Sequence, residues 1–134
     1  MRRGKRHYRL TLDDALSAHV VALQSGGLDG VLDQGRIEAA IARPYVGYFR
    51  AIEDKASAVF EAIVNNHGFV DGNKRTAILL TDLLIKKSGY LLVSANPLED
   101  LNLAIEELAV AVASGNCEFE MIATWFNERL VRSS

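Results

Sequence analysis

Apolar positions recur along most of this chain at helical spacing. Leu12, Leu16, His19, Val20 and Leu23 share one face at a 3.6-residue period, and Gly26-Gly27 stops the run. Thr11 with Asp14 reads as a capping box at its start, with Asp13 and Asp14 placed where the helix dipole favours negative charge. A short helix follows from an Asp33 cap to Ala42, ended before Pro44. Ile52, Ala56, Val59, Phe60, Ile63 and Val64 stripe a third helix over residues 51–65. A fourth, over residues 74–87, is apolar on most sides and is the expected central, buried helix. Asn96 with Pro97 and acidic Glu99 and Asp100 predicts a fifth helix reaching Ala113. Phe119, Ile122, Phe126 and Leu130 predict a sixth over residues 118–131.

Two stretches break the helical period. Tyr45-Val46-Gly47-Tyr48-Phe49 is aromatic and β-branched, which predicts a short extended flap, and residues 90–93 predict a second extended piece. No repeat, low-complexity tract or linker divides the 134 residues, so a single domain over 1–134 is expected. The fold class is therefore all-α: a helical bundle with a short β flap.

Charge and cysteine content narrow the function. A net charge of −2 argues against nucleic acid as a partner, although Arg2, Arg3, Lys5, Arg6 and Arg9 make the start locally basic, which reads as a solvated arm. The longest apolar runs, such as residues 77–80, are too short to cross a bilayer. One cysteine, Cys117, excludes an intrachain disulfide and suits a reducing cytoplasm. It lacks a histidine partner at motif spacing, which argues against a nucleophile. His19 reads as a core-edge histidine, His7 as solvated, Arg43 as a surface residue, and Trp125 and Phe126 as core or partner surface.

The chemistry concentrates in residues 67–75, between the third and fourth helices. A plain helix–helix turn does not need His67, Asp71, Asn73, Lys74 and Arg75 so close together. The start of the following helix offers unpaired N–H groups and a positive dipole end, a natural anion site. Gly72 lets backbone approach a ligand, and Asn73 caps the helix or offers its amide to a phosphate. Lys74 and Arg75 supply cationic donors, Asp71 a hard oxygen ligand for Mg²⁺, and His67 a group that takes a proton near neutral pH. Phe69 anchors the loop. These are parts of a phosphoryl- or nucleotidyl-transfer site. The chain has no Gly-x-x-x-x-Gly-Lys-Ser/Thr loop.

Residues His67, Phe69, Asp71, Gly72, Asn73 and Arg75 match the motif His-x-Phe-x-Asp/Glu-Gly-Asn-Gly-Arg-x-x-Arg, and the chain closely resembles the Fic/Doc (Fido) superfamily. Lys74 replaces the Fic glycine and Ile78 its second arginine. Asn73-Lys74-Arg75, with Gly27-Leu28 and Ala42-Arg43-Pro44, resembles the death-on-curing (Doc) branch of toxins, where alanine often stands at position 72.

The resemblance implies His67 as general base, Asp71 as the Mg²⁺ ligand, and Gly72, Asn73, Lys74 and Arg75 as the phosphate cradle for ATP. For the Doc branch it implies transfer of the γ-phosphate to a threonine of elongation factor Tu, arresting translation. It also implies restraint by a cognate antitoxin, because no Ser/Thr-x-x-x-Glu-Gly/Asn inhibitory helix is seen. The flap at Tyr45, Val46, Gly47 and Tyr48 could dock a target strand, or its aromatics could simply cover the core. AMP transfer of the Fic kind, favoured by Gly72 and opposed by Lys74 and Ile78, and a non-enzymatic anion- or partner-binding module remain the competing readings.

Overall fold

A computed structural model describes residues 6–133, so the expectation for Arg2, Arg3 and Lys5 lies outside the described residues. Six helices dominate: α1 (Leu12–Ala22), α2 (Gln34–Ala42), α3 (Ile52–Asn66), α4 (Asn73–Lys87), α5 (Leu101–Ala113) and α6 (Phe119–Asn127). Two short strands, β1 (Tyr90–Leu92) and β2 (Leu130–Arg132), pair antiparallel with Leu91 opposite Val131.

Local chemistry explains most boundaries. Thr11 and Asp14 form the capping box of α1, the Thr11 hydroxyl accepting from the Asp14 N–H at 3.1 Å. Asp33 caps α2 by accepting from the Arg36 N–H at 3.2 Å. The central helix is α3, not α4. Ten of its fifteen residues are buried, against six of fifteen in α4. It packs against α2, α4, α5 and α6, and Phe60 meets Phe126 of α6 edge to face at 5.6 Å. Burying such a side chain fully contributes about 1.5–3 kcal/mol. The mostly apolar surface of α4 has a different explanation: Ile78, Leu79 and Leu83 are only partly covered.

Two further helix boundaries differ from expectation. Helix α5 begins four residues later than its Asn96 signal suggests, because Glu99 is drawn away to the Arg129 guanidinium and the Ala95 N–H. Asn96 caps only the intervening turn, accepting from the Leu98 N–H at 3.0 Å, and Asp100 caps the helix itself. Helix α6 ends at Asn127, since buried Arg129 turns back over the Trp125 ring at 4.0 Å and the chain enters β2.

The stretch at 45–49 is not extended. Arg43–Tyr45 is a turn of 3₁₀ helix on buried Pro44, and a further turn at Gly47 (φ 49°) follows. No strand lies alongside to pair with it among the described residues, and Tyr45 and Phe49 are used otherwise, while Tyr48 is exposed. The Tyr45 hydroxyl donates to the Tyr8 carbonyl at 2.6 Å and accepts from the Leu10 N–H at 2.8 Å. Phe49 stacks on Phe119 at 5.3 Å. His7 is half-buried rather than solvated, its Nδ1 lying 2.8 Å from the Lys55 ammonium. No helix among the described residues is long and apolar enough to cross a membrane.

Candidate functional site

The loop between α3 and α4 is built residue by residue. Helix α3 closes on His67, which adopts the left-handed conformation at φ 52° and is the single non-glycine residue with positive φ among those described. This reversal turns the chain outward and leaves the imidazole exposed. The Gly68 carbonyl accepts from the N–H groups of Leu32 and Asp33, at 2.8 and 3.0 Å. Phe69 is 1% exposed, and its backbone bridges Val31 while the Val70 N–H donates to the Gly30 carbonyl at 3.0 Å. The α1–α2 loop is thus sewn to the motif loop.

Asp71 is the junction. Its backbone carbonyl accepts from His19 Nε2 of α1 at 2.8 Å, and since a carbonyl only accepts, that ring nitrogen carries its hydrogen. The His19 ring stacks on Phe69 with centroids 3.9 Å apart. His19, read from the sequence as a core-edge residue, is buried as expected but also braces the loop. The Asp71 carboxylate accepts from the Leu28 N–H at 3.1 Å and the Gly72 N–H at 2.8 Å. Those two N–H groups, with the charges of Lys74 and Arg75, hold its pKa below the usual carboxylate range, so it is ionised at neutral pH. The Gly27-Leu28 pair in the sequence acquires a physical meaning here. A Cβ at Gly27 would sit 3.0 Å from Asp71 Oδ2.

Gly72, at φ 78°, precedes α4, and no side chain caps that helix start. The Asn73 side chain is engaged within the loop. Its side-chain oxygen accepts from the Phe69 N–H at 3.2 Å and its Nδ2 donates to the Phe69 carbonyl at 3.0 Å, stapling the loop shut. Lys74 and Arg75 are exposed. His67, Asp71, Gly72, Asn73, Lys74 and Arg75 all line one cleft of about 450 Å³. Tyr45, Val46, Gly47 and Tyr48 do not line it. The extended backbone beside the motif lies instead at 28–33, where Leu28 and Leu32 are exposed. Gly30, between Asp29 and Val31, was the available signal for it.

Among the described residues no three His, Cys, Asp or Glu side chains cluster as a metal cage. One ionised carboxylate beside an uncapped helix start still suits Mg²⁺, which commonly takes one or two carboxylates, phosphate oxygens and water. A second cleft, also about 450 Å³, lies between α1, α4 and α5 and shares Arg75; Val21, Ile78, Leu79 and Ile105 give it apolar walls, and Asn102 and Glu106 polar ones.

Comparison with known proteins places the chain among relatives. The model of the Fic/DOC family matches residues 9–85. The chain is 33% identical over 119 residues to a protein named Toxin Doc from Mycolicibacterium smegmatis, covering 85% of this chain and 87% of that one. It is 31% identical over 96 residues to Protein kinase doc of Escherichia phage P1, covering 66% of this chain and 74% of the relative. The matched span includes α1, the sewn α1–α2 loop and the whole His67–Arg75 cleft, and on these grounds the chain belongs to the Fic/DOC family.

Proposed function

We propose that this protein is a Doc-type toxin of a type II toxin–antitoxin system that transfers the γ-phosphate of ATP to a serine or threonine hydroxyl of a translation factor resembling elongation factor Tu. The observation that carries the reading is the shared cleft: an exposed imidazole, an ionised carboxylate, and a helix start flanked by two cations. The relatives' names, a toxin and a protein kinase, support it. The action belongs in the cytoplasm, where translation factors reside, and a cognate antitoxin restrains it.

His67 takes the proton of the acceptor hydroxyl as that oxygen bonds to the γ-phosphorus. The bond from that phosphorus to the β–γ bridging oxygen breaks, and ADP leaves. The N–H groups opening α4, with Lys74 and Arg75, hold phosphate oxygens. Asn73 acts on the loop, keeping Phe69 and the helix start in register. Asp71 would hold Mg²⁺, which when bound neutralises phosphate charge.

The second cleft favours phosphate over nucleotide transfer. Ile78, in place of the second motif arginine, gives an apolar wall beyond Arg75 that suits a nucleoside and not a phosphate. A nucleoside there directs the terminal phosphate toward His67. AMP transfer is the second reading, favoured by Gly72 in place of the alanine common on the Doc branch. Incubating the protein with a bacterial lysate and ATP labelled at the γ or the α position separates them. Label from γ-ATP alone, lost in His67→Ala, supports the proposal, and label from α-ATP alone rejects it.

A further inference from the structure

His67 lines a second concavity. A groove of about 530 Å³, which Asp71 does not line, runs between the end of α3 and the start of α2, walled by Asp33, Arg36, Ala39, Asn65 and Asn66. His67 is the one residue common to this groove and the phosphate cleft. A base that takes a proton from one reactant while the other receives its oxygen must face both. With the donor in the cationic cleft, the acceptor oxygen must lie between the imidazole nitrogen and the γ-phosphorus, so the chain that carries it has to pass over His67, and this groove is the concavity that adjoins His67 outside the cleft.

The two concavities differ in charge in the way such a division requires. The phosphate cleft carries Lys74 and Arg75. In the groove, Arg36 Nε lies 3.4 Å from the Asp33 carboxylate, so the charges balance. The same guanidinium donates from Nη1 to the Asn66 carbonyl at 3.3 Å, which holds it against the end of α3. What remains is a neutral surface of amides, helix-end carbonyls and one positioned guanidinium. Such a surface has no attraction for polyphosphate and suits a polypeptide loop with neutral polar side chains. The groove is also continuous with the exposed backbone of 28–33, since Asp33 belongs to both.

We propose that this α2–α3 groove receives the hydroxyl-bearing loop of the acceptor protein, with Arg36, Asn65 and Asn66 determining which loops are accepted. The inference rests on the phosphotransfer reading above and adds to it where the acceptor binds.

The test fills the groove without touching the cleft. Ala39 is solvent-exposed on α2, so Ala39→Trp adds bulk to the groove and leaves the core alone. Arg36→Ala is the second variant, and Thr124→Trp on the exposed face of α6 is the control. Each is titrated with dialysed bacterial lysate protein at saturating γ-labelled ATP, and nucleotide affinity is read separately with a fluorescent ATP analogue. The expected result is a rise of about tenfold or more in the protein concentration giving half-maximal labelling for Ala39→Trp, and a smaller rise for Arg36→Ala. Nucleotide affinity, melting temperature and the control stay at wild-type values. Labelling unchanged in both groove variants overturns the groove and leaves phosphotransfer standing. Nucleotide affinity falling in step with labelling overturns it too, because the groove is then part of the ATP site. No label with the wild type under any condition overturns the phosphotransfer reading and the groove together.

Discussion

His19 Nε2 donates to the backbone carbonyl of Asp71 across 2.8 Å and 52 residues of sequence. One side chain of α1 thereby fixes the backbone of Asp71, while its ring lies flat on Phe69. His19→Phe keeps the stack and loses the bond. The expected cost is about 1 kcal/mol of stability, read by urea unfolding. Phosphate transfer falls further than stability does, because the loop no longer holds Asp71 in place. A variant with wild-type transfer shows that the brace is dispensable.

On the proposed mechanism His67 does two jobs, which one substitution separates. Its backbone needs a residue tolerant of the left-handed region, and asparagine is such a residue. His67→Asn is expected to keep the melting temperature within a degree or two of wild type. It loses about 10²–10⁴-fold in transfer rate, the usual contribution of a general base. Retained activity in this variant removes the imidazole from the chemistry.

Gly68 is constrained by a neighbour, not by φ. A Cβ there would sit 2.5 Å from Cγ1 of Ile37, which is 1% exposed and has nowhere to move. Gly68→Ala is expected to destabilise the protein by roughly 1–3 kcal/mol through overpacking. It also parts the loop from Leu32 and Asp33, whose amide protection in hydrogen exchange should fall. Unchanged exchange at those two amides contradicts this account.

Asp71 carries a charge the fold protects. Because N–H groups and nearby cations depress its pKa, the ionised form stabilises the native loop above the unfolded carboxylate's pKa, and this contribution disappears as pH falls through the folded value. Asp71→Asn abolishes that acid-side dependence and raises the Mg²⁺ concentration needed for transfer. A titration of rate against Mg²⁺ at neutral pH reads the second effect, and an unshifted curve takes the cation away from Asp71.

The legible parts of this sequence were those whose signal is local. The capping pair at Thr11 and Asp14, the Asp33 cap and the dense 67–75 motif each announce themselves within a few residues. The misreadings came from partners distant in sequence. Nothing near Asn96 reveals that Glu99 is held by Arg129, thirty residues on, and that pairing moves the start of α5 and ends α6 early. The aromatic run at 45–49 carries the composition of a strand, but Tyr45 is occupied by Tyr8 and Leu10. The extended segment beside the motif was hidden in a loop whose only marks were Gly27-Leu28 and Gly30.

The long reach of the contacts around Asp71 ties chemistry to the order in which the chain assembles. Helices α3 and α4 are neighbours in sequence and can pair early, but the Leu28 and His19 contacts close loops of 43 and 52 residues and complete only when α1 has docked. A molecule melted at its amino-terminal helix retains the histidine and both cations yet has lost the scaffold that aligns them. On gentle warming, catalytic competence should therefore vanish before the bulk of the helical signal does, so that a partly folded toxin is a harmless one.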